Sequence, residues 1–345
     1  MNRKSLAAML AIVVMTGFAI AASAQQVLIN CGGATFPYPM YSKWFDSYNK
    51  KFPTIAFNYQ SQGSGFGIQQ VTAGTVDFGA SDGPMSDAQL KEFREKRGFG
   101  ILHFPTVLGA DVPAYNIPGV TVALNFTPEA LAGIFLGKIT KWNDPELTKA
   151  NPGVNLPGNN IVVVHRAENS GTTYIWTDYL TKVNKEWETK VGRGAGVNWP
   201  VGLGGKGNEA VAGQVKQTAN SIGYVELTYA LQTKMTYGKV KNAAGEFVQA
   251  DLASVTAAAS AAAKEMPDDF RVSITNPAGK GAYPIASFTW LLIPEKIADA
   301  GKKKAVTDFL KWMLTDGQKQ TEALSYAPLP KPVVDKEMKA IAKIQ

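Results

Sequence analysis

Three times in this chain a short apolar run gives way to a loop of glycine and hydroxyl residues, and then to a segment with helical spacing. In one of these units Ile-Val-Val-Val at 161–164 precedes His165-Arg166-Ala167-Glu168-Asn169-Ser170-Gly171-Thr172-Thr173, and an amphipathic stretch follows to residue 183. A β-branched run, a polar turn and an amphipathic stretch predict strand, loop and helix, so Ser170, Gly171 and Thr172 stand at a helix N-terminus with Arg166 beside them. Backbone N–H groups, two hydroxyls and a guanidinium converging on one point suit a small oxyanion.

The other two units have the same form. After the apolar run at 27–30 come Cys31-Gly32-Gly33-Ala34-Thr35-Phe36-Pro37, and Phe36, Met40, Trp44, Phe45 and Tyr48 then repeat at helical spacing, with Pro37 suited to a first helical position. Residues 55–59 alternate as a strand, and Ser61-Gln62-Gly63-Ser64-Gly65-Phe66-Gly67 leads into apolar residues at 68–73. The glycines let backbone N–H groups come close to a bound group, and Ser64 stands where a cap or a ligand contact belongs. An anion held by several helix N-termini needs few full positive charges, each terminal turn contributing ~0.3–1 kcal/mol.

Elsewhere the chain supplies more strands and helices than chemistry. Val76-Asp77-Phe78-Gly79-Ala80-Ser81-Asp82 is an apolar strand ending on an acid, and Asp82 by itself reads equally as a turn residue or cap. A polar helix is expected over 86–97, a glycine-interrupted apolar stretch over 104–112, and a first passage between domains near Val112. Thr127 and Pro128 open a helix to residue 135, and an alanine-rich helix is expected over 257–264. Gly202-Leu203-Gly204-Gly205-Lys206-Gly207 matches G-x-G-x-x-G. Trp199-Pro200 is a poor strand ending before it, and Glu226 lies inside a tyrosine-bearing run, so the match does not make a nucleotide site. An apolar strand at 288–293 and a helix over 302–315 suggest that the chain returns to complete its first domain.

Residues 1–24 carry Arg3 and Lys4, an apolar run and Ala22-Ser23-Ala24, the pattern of a cleaved export signal; as a membrane anchor the run falls short of the roughly 20 residues that span a bilayer. Losing this leader, with its two basic residues and no acid, lowers the formal charge from +7 to +5. Such mild basicity, spread as lysines, fits acidic small solutes and not nucleic acid. Cys31 is the single cysteine, so no intrachain disulfide forms despite the oxidising compartment that export implies, and Asn30 before it is not the small residue of a lipoprotein site. His103 and His165 are the only histidines, no H-E-x-x-H or C-x-x-C occurs, and no G-x-S-x-G surrounds Ser64 or Ser170, which leaves a metal hydrolase or serine esterase without its usual parts. Arg166 next to His165 disfavours its protonated form as a base for Ser170. The remaining residues, about 320, are enough for two domains held by their own cores.

In these motifs, taken in order from Gly33-Ala34-Thr35-Phe36-Pro37 through Gly63-Ser64-Gly65, the 76–82 strand and Arg166 with Ser170-Gly171-Thr172 to Gly202–Asn208, the chain resembles the periplasmic phosphate-binding proteins of phosphate ABC importers. The resemblance runs from Gly32 to the proline-bearing tail. It implies an α/β, two-domain periplasmic binding protein fold of type II, each domain a mixed sheet flanked by helices, with the ligand in the inter-domain cleft. Domain I would comprise 25–112 and 282–345, and domain II 113–281. Thr35, Phe36 and Ser64 would bind phosphate through N–H and hydroxyl groups, Arg166 through its charge, and Ser170, Gly171 and Thr172 from the other domain. Asp82 would accept a hydrogen bond from a protonated phosphate oxygen. Phosphate near neutral pH has one to give and sulfate has none, and arsenate would share the proton. Glu168 stands where the family often has an aspartate that pairs with the arginine, and Cys31 replaces a usual small residue. The implied partners are inorganic phosphate and inner-membrane permease subunits, with no cofactor, metal or nucleic acid, in a periplasmic monomer. The alternative is a secreted phosphatase using the same pocket.

Overall fold

The computed structural model describes residues 26–262 and 266–345; the export leader expected over 1–24 lies outside them, as does the end of the alanine-rich helix, which is described as Leu252–Ala262. The strands are β1 (Val27–Gly33), β2 (Ile55–Ser61), β3 (Phe78–Ser81), β4 (Ile101–Asn116), β5 (Asn125–Phe126), β6 (Val162–Arg166), β7 (Leu203–Gly205), β8 (Ser221–Glu226), β9 (Thr236–Tyr237), β10 (Lys239–Lys241), β11 (Phe247–Val248) and β12 (Ala286–Pro294). The main sheet runs β2-β1-β3-β12-β4-β8-β6-β7, with β9 also on β4, and β11-β10-β5 form a small second sheet. β1 is parallel to β2 and β3, while β6 is parallel to β7 and β8. This is a mixed α/β architecture of two lobes.

The lobes share one strand. β4 pairs antiparallel with β12 over Ile101–Ala110 and, on its other edge, with β8 over Asp111–Asn116. Pro105 and Gly109 argue against a strand so long when read in sequence. The register shift between Thr289 and Trp290 skips Thr106, so Pro105, paired with Trp290, stands beside a bulge, where a sheet tolerates proline. Val112, near which a passage between domains is expected, thus lies inside a strand and not in a loop. Ahead of residue 282, the segment 266–275 already lies on both lobes: Arg271 Nη1 donates to the Met85 carbonyl at 2.9 Å, while Ser273 and Thr275 donate to Asp178.

Helix Tyr38–Lys51 buries Met40, Tyr41, Trp44, Phe45 and Tyr48, the face that the spacing marks as apolar. Phe45 and Tyr48 meet Phe309 of helix Ala300–Trp312 at ring separations of 5.4 and 5.3 Å. Each side chain so buried stabilises the lobe by ~1.5–3 kcal/mol. Pro37 sits at the cap, and Thr35 makes no side-chain capping bond to this helix, its carbonyl accepting from the Tyr38 N–H at 3.1 Å.

Gly202–Gly207 differs from its expectation. Leu203–Gly205 is itself strand β7 and helix Gly207–Gln217 follows at once, so the motif contains its own strand. Gly202 has φ +114°, and a Cβ there would lie 2.9 Å from the Val163 carbonyl, which explains why glycine precedes a strand so close to β6.

Candidate functional site

Parallel strands place the loops at their carboxyl ends in a common crevice, where ligands of open α/β sheets bind. Here the loops after β1, β2 and β3 on one lobe meet those after β6 and β7 on the other. Thr35, Phe36, Ser64, Asp82, Arg166, Ser170, Gly171 and Thr172 are brought together there, and all are buried.

Helix Gly171–Val183 starts at the crevice. Ser170 Oγ accepts from the Thr173 N–H at 3.1 Å as a side-chain cap, and the Ser170 N–H donates to Ala195 O at 2.8 Å. The N–H groups of Gly171 and Thr172 belong to the first turn and have no intrahelical partner. Opposite them, helix Ser64–Ala73 begins after Gly63, whose φ of +99° needs glycine. Ser64 does not cap this helix. Its Oγ accepts from the Asp82 N–H at 3.1 Å and faces Asp82 Oδ2 at 3.3 Å. Among the described residues, the N–H groups of Thr35, Phe36 and Ser64 donate to no protein atom.

Arg166 lies at the end of β6 with its side chain 1% exposed. Its Nε donates to Glu168 Oε1 at 3.0 Å, Nη2 meets the same oxygen, and Nη1 donates to Thr172 Oγ1 at 2.9 Å. Glu168 Oε1 also accepts the Gly207 N–H at 3.1 Å, so the glutamate ties the arginine to the start of the next helix. That contact occupies the N-terminus of the helix that the glycine-rich motif opens, where a nucleotide phosphate would otherwise go.

Asp82 is the acceptor among these donors. Thr289 Oγ1 donates to its Oδ1 at 2.7 Å. Burial pushes the carboxyl up to about 7, against the opposing effects of the Thr289 bond, the Arg166 charge and Ser64. Across the crevice the lobes touch directly. The Gly65 N–H donates to Asn169 O at 2.9 Å, Lys206 Nζ to Gln62 Oε1 at 2.6 Å, and Tyr229 OH to Thr35 O at 2.6 Å. A Cβ on Gly171 would overlap Ser64 Oγ and Asp82 Oδ2. The clamp is closed.

His165 takes no part. Its ring stacks on Trp199 with centroids 4.7 Å apart, and burial lowers its pKa. Among the described residues no group of histidines, cysteines or acids could hold a metal ion, and no helix is long and apolar enough to cross a membrane. Cys31 is buried, and desolvation raises its thiol pKa.

Several residues that shape the site carry weak sequence signals. Thr289 is one of two hydroxyl residues, with Ser287, in an otherwise apolar strand buried along its whole length, which is the available clue. Asn208 ends the glycine-rich motif and bonds both Thr35 and Thr172. Asp111 and Glu226 face each other across β4 and β8, both fully buried; burial pushes Glu226 up to about 8, and the nearby acids raise Asp111 further after burial itself. Neither Asp111 oxygen has a hydrogen-bond partner among the described residues.

Residues 20–317 match the model of the PBP superfamily domain. The phosphate-binding protein PstS of Xylella fastidiosa (strain Temecula1) is 47% identical over 311 residues, covering 90% of this chain and 84% of that protein. The protein of the same name from Pasteurella multocida is 44% identical over 330 residues, covering 95% and 93%. In fold, the chain is similar to a high-affinity periplasmic phosphate-binding protein solved with phosphate (TM-score 0.73, 23% identity, 91% and 93% covered). It is also similar in fold to the phosphate-binding protein of Stenotrophomonas maltophilia (TM-score 0.70, 20% identity, 91% and 94% covered). With the family model spanning most of the chain and relatives above 40% identity over nearly all of it, this chain belongs to the PBP superfamily and, within it, to the family of the phosphate-binding proteins PstS.

Proposed function

We propose that this protein captures inorganic phosphate between its lobes and hands it to the permease of an ABC importer, working in the periplasm after removal of its leader. The observation that carries this reading is the polarity of the crevice. Backbone N–H groups without protein partners, hydroxyls and one buried guanidinium face a single carboxylate. A protonated tetrahedral anion satisfies both kinds of group, because its bare oxygens accept from the donors and its hydroxyl donates to Asp82. Sulfate leaves Asp82 opposite an oxygen lone pair.

Thr35, Phe36, Ser64, Asp82, Arg166, Ser170, Gly171 and Thr172 are the proposed ligand contacts, with Glu168 holding Arg166 in place. The relatives are named as binding proteins and not as enzymes. A hydrolase would need an activated nucleophile, yet Ser170 Oγ caps a helix and His165 lies on Trp199. We further propose that lobe I comprises 25–112 with 282–345 and lobe II 113–281, closing about β4 as a monomer.

Titration with phosphate, followed by the fluorescence of the seven tryptophans and by calorimetry, tests the reading. Saturable phosphate binding with negligible sulfate binding is expected, and comparable affinities for the two would overturn it. Release of phosphate from an ester would establish the hydrolase instead.

A further inference from the structure

Asn208 is fully buried and uses every hydrogen-bonding atom it has. Its Oδ1 accepts from the backbone N–H of Glu226 at 2.9 Å. Its Nδ2 donates to Thr35 Oγ1 at 2.8 Å and to Thr172 Oγ1 at 3.1 Å, and its own N–H approaches Thr35 Oγ1 at 3.3 Å. Thr172 Oγ1 also accepts from Arg166 Nη1 at 2.9 Å.

A hydroxyl has two acceptor lone pairs and one hydrogen. Thr35 Oγ1 meets two N–H donors from Asn208, and Thr172 Oγ1 meets one from Asn208 and one from Arg166. With both lone pairs engaged, each hydroxyl can act toward a further partner only by donating. The orientation of the Asn208 amide is itself dictated, because a flip would set its NH2 group against the Glu226 N–H, a backbone donor that cannot turn.

Resting on the phosphate-binding reading above, we propose that Asn208 is the positioning residue that fixes the hydrogen-bond polarity of the site. The fixed Glu226 N–H orients the Asn208 amide, the amide fills the lone pairs of Thr35 and Thr172, and both hydroxyl hydrogens are left for the anion. The arrangement is complete only in the closed clamp, since Thr35 comes from one lobe while Thr172 and Asn208 come from the other. Closure therefore converts the ambivalent Thr35 hydroxyl into a committed donor at the moment the anion is enclosed, while Thr172, whose two donors share its lobe, is committed beforehand. Glu226 lies where β8 leaves β4, so the orienting donor belongs to the strand pair at which the lobes join.

Asn208→Ala tests this by calorimetric phosphate titration in three backgrounds: wild type, Thr35→Val and Thr172→Val. In the wild-type background about a tenfold or greater loss of affinity is expected, the scale of one to two hydrogen bonds. In either valine background the same substitution should cost distinctly less, because the hydroxyl through which it acts is gone. Equal loss in all three backgrounds, or in the wild type and either valine variant, overturns the proposal. If Asn208→Ala melts at a much lower temperature, Asn208→Asp replaces it in the same cycle. It keeps an acceptor for Glu226 and removes both donors, so its charge penalty stays constant across backgrounds while the hydroxyl effect does not. Failure of the wild-type protein to bind phosphate at all would strike the functional reading itself and is read separately from the cycle.

Discussion

Replacing Asp82 with asparagine changes one atom in the crevice and should change which anion the protein prefers. Thr289 Oγ1 donates to Asp82 Oδ1 at 2.7 Å, so in the variant the amide oxygen best occupies that side, and the NH2 group falls where Oδ2 now faces Ser64. The alternative, turning Thr289 to Ser81 O, offers a poorer bond at 3.5 Å. A protonated phosphate oxygen then meets a donor where it needs an acceptor. The loss is one hydrogen bond to a charged group, ~1.5–3 kcal/mol, or roughly 10- to 150-fold in affinity. Sulfate gains, because a bare oxygen now faces an N–H. A discrimination of ~10⁴ to 10⁵, usual for sites built around a ligand OH, should shrink to within about tenfold. Calorimetric titration of both variants with both anions at pH 8 measures this, with thermal melts confirming that the fold is intact. The wild type adds a pH test: burial raises Asp82 to about 7 in the closed crevice, so as pH falls through that value it gains a proton and becomes a donor. Sulfate affinity of the wild type should rise from pH 8 to pH 5, and that of the asparagine variant should not. Retention of the wild-type preference by Asp82→Asn, or a sulfate affinity independent of pH in the wild type, would refute the role given to Asp82.

Three further outcomes are expected. Gly171→Ala places a methyl group against Ser64 and Asp82 only when the lobes close, so phosphate affinity should fall about 10- to 100-fold, the cost of an overpacked contact, with the melting temperature of the ligand-free protein unchanged; an unaltered affinity would show that the helix start does not approach so closely. Glu337 is fully buried with neither oxygen partnered among the described residues, and desolvation raises its pKa well above the ordinary carboxylate range. With its folded pKa raised above the unfolded one, its contribution is intact below the ordinary pKa and lost as pH rises toward the raised one, at about 1.4 kcal/mol per unit. Glu337→Gln should match the wild type in acid and exceed it increasingly toward neutrality, and denaturant melts with parallel pH dependence would exclude this. Cys31, buried with a raised thiol pKa, should react with a thiol reagent only after unfolding; rapid modification of the native protein would contradict the packing.

The helix starts were legible because glycine, hydroxyl and β-branched residues mark local geometry, and the aromatic spacing over 36–48 marks a buried face. What local signals cannot carry is which loop meets which. Thr35 and Asn208 are 173 residues apart, and nothing near either names the other. Asp82 is a turn residue by its neighbours, and only Thr289, on a strand that returns late in the chain, reveals an acceptor held in place. The strand inside Gly202–Gly207 escaped because glycine has poor strand propensity, and here proximity to β6 outweighs propensity. Local patterning divides β4 for the same reason: its prolines and Gly109 interrupt the pattern, while β12, β8 and β9 pair with it along its length.

That shared strand bears on affinity as much as on shape. The β12 ladder ends with Ala286 opposite Ala110, and the β8 ladder begins on the other edge with Glu226 opposite Asp111, so a twist at this seam turns one ladder against the other and works against the bonds astride it: Asp111 N–H to Ile285 O, Tyr283 OH to Asp111 O at 2.9 Å, Tyr326 OH to Glu226 Oε2 at 3.1 Å and Thr228 Oγ1 to Leu324 O at 2.7 Å. The resting balance between gaping and shut forms is then shared between these seam bonds and the lip contacts, such as Gly65 with Asn169 and Lys206 with Gln62. Those residues would then act as a bias spring. Strengthening or weakening them retunes the apparent dissociation constant and the residence time together, without altering any atom that the anion touches.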